Sequence, residues 1–110
     1  MTDKTEVKKT VLVVEDDDLM LEMLKTRLGL GGYVVTPIFF TGSSDIPQEK
    51  FDYAVVDGLD GMCFEVLEQI SADEKMVNSG KGDYQKEVEK RGWEFHLKGG
   101  DTLWERFPKI

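Results

Sequence analysis

Cysteine, proline and long apolar runs are scarce in this chain, and cationic residues are outnumbered by acidic ones. Cys63 is the single cysteine among 110 residues. No disulfide can close within the chain, which fits a reducing compartment, and the helix stripe around Cys63 marks it as a buried thiol. No apolar run approaches the ~20 residues needed to cross a bilayer. The first ten residues lack the apolar core of a signal peptide. A cytoplasmic protein with no membrane partner is expected. Lys and Arg number 14 against 22 Asp and Glu, a net charge of −8. With no basic stripe to neutralise phosphates, a nucleic-acid partner is not expected. At 40% hydrophobic and 33% charged, the composition is that of a packed domain rather than a disordered segment. The length suits one core, so residues 1–110 are expected to form a single domain, with residues 1–6 as a flexible leader.

What the chain does have is an apolar run, Val11 to Val14, that ends in four consecutive acids, Glu15 to Asp18. A short continuous apolar run reads as a buried strand. Adjacent carboxylates repel one another unless a cation neutralises them. Asp17 and Asp18 are explained by the first turn of a following helix, where acids favour the helix dipole. Glu15 and Asp16 lie before any helix, at the strand end where open α/β sheets collect ligands. The pattern recurs in Phe51 to Asp57, a strand ending in a carboxylate and followed by Gly58. Met76 to Asn78 is a weaker strand ending at Ser79. Trp93 to Leu97 is a fifth, ending at Lys98 before two glycines.

Between these strands, Leu21, Leu24 and Leu28 share one face of a helix predicted over Leu19 to Leu28, with Gly29 as its terminator. The first strand is predicted from Val7 to Val14 and the second from Tyr33 to Phe40. Pro37 removes a ladder donor, so the second strand belongs at a sheet edge. Thr41 to Lys50 has no helical periodicity. Tyr53 to Val56 is the third strand. Cys63, Val66, Leu67 and Ile70 form a helical stripe. Asp83 to Arg91 reads as a polar helix stopped by Gly92, with Glu87 and Arg91 at pairing distance. Thr102 and Glu105 make a capping-box pattern for a short last helix that ends before Pro108. Alternating strands and helices imply right-handed crossovers and a parallel sheet.

Acid pair, acid, hydroxyl and lysine, each at a strand end and in that order, resemble the receiver domain of two-component response regulators. The likeness runs from about Val7 to Phe107. It implies an α/β, flavodoxin-like, doubly wound parallel sheet of five strands in the order 2-1-3-4-5, with the second helix shortened or missing. It implies that Asp57 is a phosphoacceptor and that Mg2+ is held by Asp16, by Asp57, by the Leu59 backbone carbonyl and through water by Glu15. Ser79 would bond a phosphoryl oxygen and Lys98 would pair with the phosphoryl group. Ser79 and Phe95 would act as the switch pair, and Leu59 and Lys81 fall where the family tunes dephosphorylation. The implied function is a stand-alone receiver that takes its phosphoryl group from a sensor histidine kinase or phosphotransfer protein and signals through a separate output partner. It catalyses only its own phosphorylation and dephosphorylation.

Three departures qualify the likeness. The loop after Asp57 is about two residues short and carries an extra acid, Asp60, which favours an alternative: a pseudo-receiver that docks without being phosphorylated. Gly99 replaces a family proline that is cis, and a cis bond without proline costs ~3–4 kcal/mol, so a trans bond and a rearranged loop that can displace Lys98 are expected. The missing helix should bare the sheet near Val35, Ile38 and Phe40, an apolar face suited to a homodimer or a docked partner. A Mg2+-dependent phosphohydrolase would want a second acid two residues after its nucleophile, where this chain has Leu59. His96 is expected to be an ordinary, partly exposed side chain.

Overall fold

The computed structural model describes residues 8–42 and 45–110. Val7 and the 1–6 leader lie outside the described residues, as do Ser43 and Ser44. Five strands form one parallel sheet: β1 (Thr10–Glu15), β2 (Val34–Phe39), β3 (Lys50–Asp57), β4 (Ser71–Ser79) and β5 (Glu94–Leu97). Their order is β2-β1-β3-β4-β5, as expected. Helices α1 (Asp18–Leu30), α2 (Cys63–Gln69), α3 (Gln85–Lys90) and α4 (Thr102–Glu105) cover the two faces.

β1 lies between two neighbours, and Val11 to Val14 are almost fully buried. A strand covered on both faces has no use for alternation, which is why this run is continuously apolar. Leu12 and Val14 face a cluster with α2, Val88 and Phe51. Val11 and Val13 face α1, Leu103 and Phe107. β2 is an edge strand and carries Pro37, as the missing amide requires. Residues 45–49 form no helix, so the crossover from β2 to β3 lacks the usual one among the described residues.

α1 begins where the acids are. The Asp17 Oδ1 accepts from the Leu19 and Met20 amides at 3.0 and 3.2 Å, satisfying two of the free donors of the first turn. Replacing Asp17 with Ala should lower stability by about 1 kcal/mol in a urea titration; no change would show that the cap carries no weight.

Several boundaries differ from expectation. α1 runs through Gly29 to Leu30 and ends at Gly31, with Gly32 taking the left-handed turn at φ 102°. β4 starts five residues earlier than its apolar core suggests. The polar stretch Ser71 to Lys75 is strand because β3 supplies the ladder and ion pairs satisfy the side chains: Lys50 with Asp73 at 2.9 Å, Arg106 with Glu74, and Lys75 Nζ donating to the Leu67 carbonyl at 2.7 Å. The polar helix is a 3-10 turn, Gly82–Tyr84, followed by α3; its Glu87–Arg91 pair forms at 2.8 Å. The capping box does not form. Asp101 precedes α4 without a side-chain bond, and Thr102 instead meets His96 Nδ1 at 2.9 Å.

His96 is therefore a correction. It is 6% exposed, between Thr102 and Glu94, whose Oε1 is 3.1 Å from Nε2. Glu94 in turn accepts from Arg106 at 2.8 Å, so the histidine belongs to the polar clamp that holds the short α4 on β5. The bare sheet face is also corrected. Val35 packs with the α1 cluster on the opposite face from Ile38 and Phe40. Phe40 is buried, and Ile46 from the helix-free crossover packs against its cluster.

Candidate functional site

Parallel register delivers the site. β1 and β3 pair with Val14 opposite Val56, so Glu15 and Asp57, each one residue further on, emerge at the same sheet edge. β3 pairs with β4 with Asp57 opposite Asn78, which sets Ser79 one step beyond. β4 pairs with β5 with Ser79 opposite Leu97, which sets Lys98 beside them. One carboxylate oxygen from each of Glu15, Asp16 and Asp57 lies within 4.8 Å of the others.

Asp57 is held at both oxygens. Oδ2 accepts from the Leu59 amide at 2.8 Å, and Oδ1 accepts from Lys98 Nζ. Lys98 Nζ also lies 3.1 Å from Glu15 Oε2. The glycines after Lys98 do not displace it. No cis peptide bond occurs among the described residues, and Gly99 takes φ 88° instead.

Glu15 is 1% exposed. Burial, and then the neighbouring Asp57 charge, push its pKa up to about 7, against the pull of Lys98. Its Oε2 is a buried oxygen with no hydrogen bond of good geometry. Burial alone pulls the Lys98 pKa down, but its bond to Asp57 and the charge of Glu15 outweigh that and leave it raised. Three hard oxygen donors with an unsatisfied buried oxygen among them are what a small divalent cation takes, so these residues fit a metal site.

A cavity of about 270 Å³ opens over these groups. Asp16, Asp57, Ser79 and Lys98 line it, with Asp60, Lys81 and Tyr84 at its rim. Ser79 is buried and its Oγ accepts from the Lys81 amide at 3.1 Å. Leu59 is also buried; its carbonyl accepts from the Met62 amide at 3.0 Å. It offers no acid of the kind a phosphohydrolase of this geometry needs. Phe95 is half-buried, packed against the α2 cluster rather than lining the cavity. Cys63 is buried beside the site, and burial pushes its thiol up to about 11.

Two features were not anticipated. Gly58 leaves no room for a side chain unless its neighbours shift: a Cβ there would come within 2.7 Å of Ser79 Oγ and 2.9 Å of the Tyr84 ring. The only hint in the sequence is a small residue next to the acid. The shortened loop closes through Leu59, Asp60 and Gly61, all with positive φ, at 51°, 53° and 97°. Left-handed backbone at two non-glycine residues is uncommon, and no local sequence pattern announces it.

No family model matches this sequence, and no curated protein matches it. Solved structures do. A response regulator protein from Burkholderia pseudomallei, with a phosphorylated aspartic acid, a calcium ion and citrate, matches 94% of this chain and 67% of its own at TM-score 0.66 and 19% identity. A response regulator from Thermotoga maritima matches 91% of this chain and 94% of its own at TM-score 0.64 and 21% identity. At such identities the likeness is one of fold, and this chain has the flavodoxin-like receiver fold. No helix among the described residues is long and apolar enough to cross a membrane.

Proposed function

We propose that this receiver-type fold carries a working acceptor, and that the protein is a response regulator receiver phosphorylated on Asp57. The observation that carries the reading is the convergence of Asp16, Asp57, Ser79 and Lys98, from four strand ends, on one cavity, with Glu15 buried beside Asp57 and Lys98. The Burkholderia protein, of the same fold, holds a phosphorylated aspartic acid and a calcium ion, which supports both acceptor chemistry and a divalent cation.

The transfer joins two anions. Asp57 Oδ attacks the phosphorus of a phosphohistidine on a sensor kinase or phosphotransfer protein. The P–N bond breaks, and the imidazole leaves and takes up a proton. Charge spreads over the equatorial oxygens, so positioned cations and donors supply the catalysis. Lys98 already touches the attacking carboxylate and can follow the transferred group. Ser79 Oγ faces the same cavity and can donate to it. Mg2+ would be held by Asp16, Asp57 and the Leu59 carbonyl, and through water by Glu15. When bound, it neutralises charge on the incoming group. The Leu59 amide holds Asp57 Oδ2, which orients the carboxylate. Ser79 and Phe95 then form the switch pair that an output partner reads, in a cytoplasmic signalling protein rather than a turnover enzyme.

The tight turn after Asp57, which already engages the Leu59 carbonyl, favours a second reading, an unphosphorylated docking module. One experiment separates them. The protein is incubated with phosphoramidate and Mg2+ and run on a phosphate-affinity gel, with Asp57→Ala beside it. A shifted band in the wild type alone supports the acceptor. No shift in either supports the docking module. Continuous consumption of the donor would point to a hydrolase instead.

A further inference from the structure

The rim of the cavity holds one ion pair that the acceptor chemistry leaves unused. The Asp60 carboxylate is 3.6 Å from Lys81 Nζ. Asp60 belongs to the turn after β3 and Lys81 to the turn after β4, so the pair spans the mouth of the cavity. Both line it together with Asp57 and Lys98.

The backbone fixes where Asp60 stands. It is the middle of the three left-handed residues. The residue before it, Leu59, is anchored in the core and bonded through its amide to Asp57 Oδ2. The opposite turn is fixed as well, since the Lys81 amide donates to Ser79 Oγ and Gly58 lets Ser79 and Tyr84 close up against the acceptor turn. The two side chains themselves are open to water, Asp60 87% and Lys81 64% exposed. An exposed pair holds weakly and exchanges partners easily. Three carboxylates line the cavity, Asp16, Asp57 and Asp60, with Glu15 buried beside them, against two ammonium groups, Lys98 and Lys81. Lys98 already pairs with Asp57 and Glu15, so Lys81 is the second cation of the cavity, held only by an exposed partner when an anion arrives.

We propose that Asp60 sets the cavity's affinity for anions by holding Lys81 at the rim. A phosphoryl group must draw Lys81 away from Asp60 to use its charge. Asp60 is thus a positioning residue that acts through Lys81. This rests on reading Asp57 as the acceptor and adds to it a determinant of how readily the acceptor is loaded.

A double-mutant cycle on the full chain tests it, with the rate of labelling by phosphoramidate and Mg2+ as readout. Asp60→Asn frees Lys81 and should raise the rate about two- to fivefold at low salt, the range an exposed ion pair commands, with the gain disappearing near molar salt. Lys81→Met should lower the rate, and Asp60→Asn should then have no effect in the Lys81→Met background. Equal acceleration in both backgrounds would overturn the proposal, because Asp60 would then act by its own repulsion. No acceleration in either would overturn it as well. Binding of inorganic phosphate in Mg2+, followed by amide NMR shifts at Gly58, Gly80 and Lys81, reads the same cycle without covalent transfer. If the wild type takes no label, the acceptor reading fails, and the phosphate cycle still decides the role of Asp60.

Discussion

Replacing Lys98 with Met should slow labelling of Asp57 by roughly a hundred- to a thousandfold, the usual effect of deleting one preorganised electrostatic stabiliser. Lys98 is the only cation in contact with both Asp57 and Glu15 among the described residues. Its side chain is 22% exposed, so its charge acts through little water. The same substitution should change stability in a pH-dependent way. In buffer with a metal chelator, losing one partner of a buried pair strands the others, at a cost of about 3 kcal/mol at pH 8. At pH 5 the cost should be much smaller, because Glu15 takes up a proton and the repulsion with Asp57 is relieved. Urea titrations at the two pH values check this. Equal losses at both would mean that Lys98 contributes packing rather than charge.

The second large effect belongs to Glu15. Its pKa rises from an ordinary 4.5 to about 7 in the folded chain. Between these values the folded protein holds a proton that the unfolded chain has released, so stability falls as pH rises through the interval. The full difference is roughly 3 kcal/mol, since each pH unit separating the two values is worth about 1.4 kcal/mol. Asp52 and Glu87, whose pKa values are lowered, work in the opposite sense and at lower pH. The comparison is therefore wild type against Glu15→Gln, metal-free, from pH 4.5 to 8. The variant should gain on the wild type by up to that amount as pH rises, and Mg2+ should flatten the wild-type curve by favouring ionised Glu15. A constant difference across the range would show that Glu15 ionises normally.

Strand ends were the legible part of this protein. Continuous apolar runs that stop at an acid, a hydroxyl or a lysine place a residue at the sheet edge without any knowledge of its neighbours. Parallel pairing then does the rest, and Glu15, Asp16, Asp57, Ser79 and Lys98 meet as their order along the chain implies. Pro37 located the edge strand for a reason equally local. The unreadable parts depend on partners distant in the chain. Ser71 to Lys75 is polar, and only Lys50, Arg106 and the Leu67 carbonyl make it a strand. His96 is buried because Thr102 and Glu94 satisfy it, a pairing that strand alternation does not encode. Val35 lies on the other face from Ile38 and Phe40 because the pleat separates odd from even positions of β2, a parity that apolar character alone does not carry. The left-handed turn at Leu59 and Asp60 follows from a short loop that must still reach α2.

The helix-free crossover has one more effect. On that side of the sheet, Ile46 is the crossover side chain packed on the cluster that contains Phe40 and Val66, and residues 45–49 have no helical ladder to hold them in register. Free energies of local opening vary across any native protein and are lowest where few apolar contacts and few backbone bonds must break. Among the described residues the crossover lays Ile46 on that cluster without a helix around it, so amide hydrogen exchange is expected to be faster at residues 45–49 than in β1, β3 and β4, with the acidic pocket unaffected.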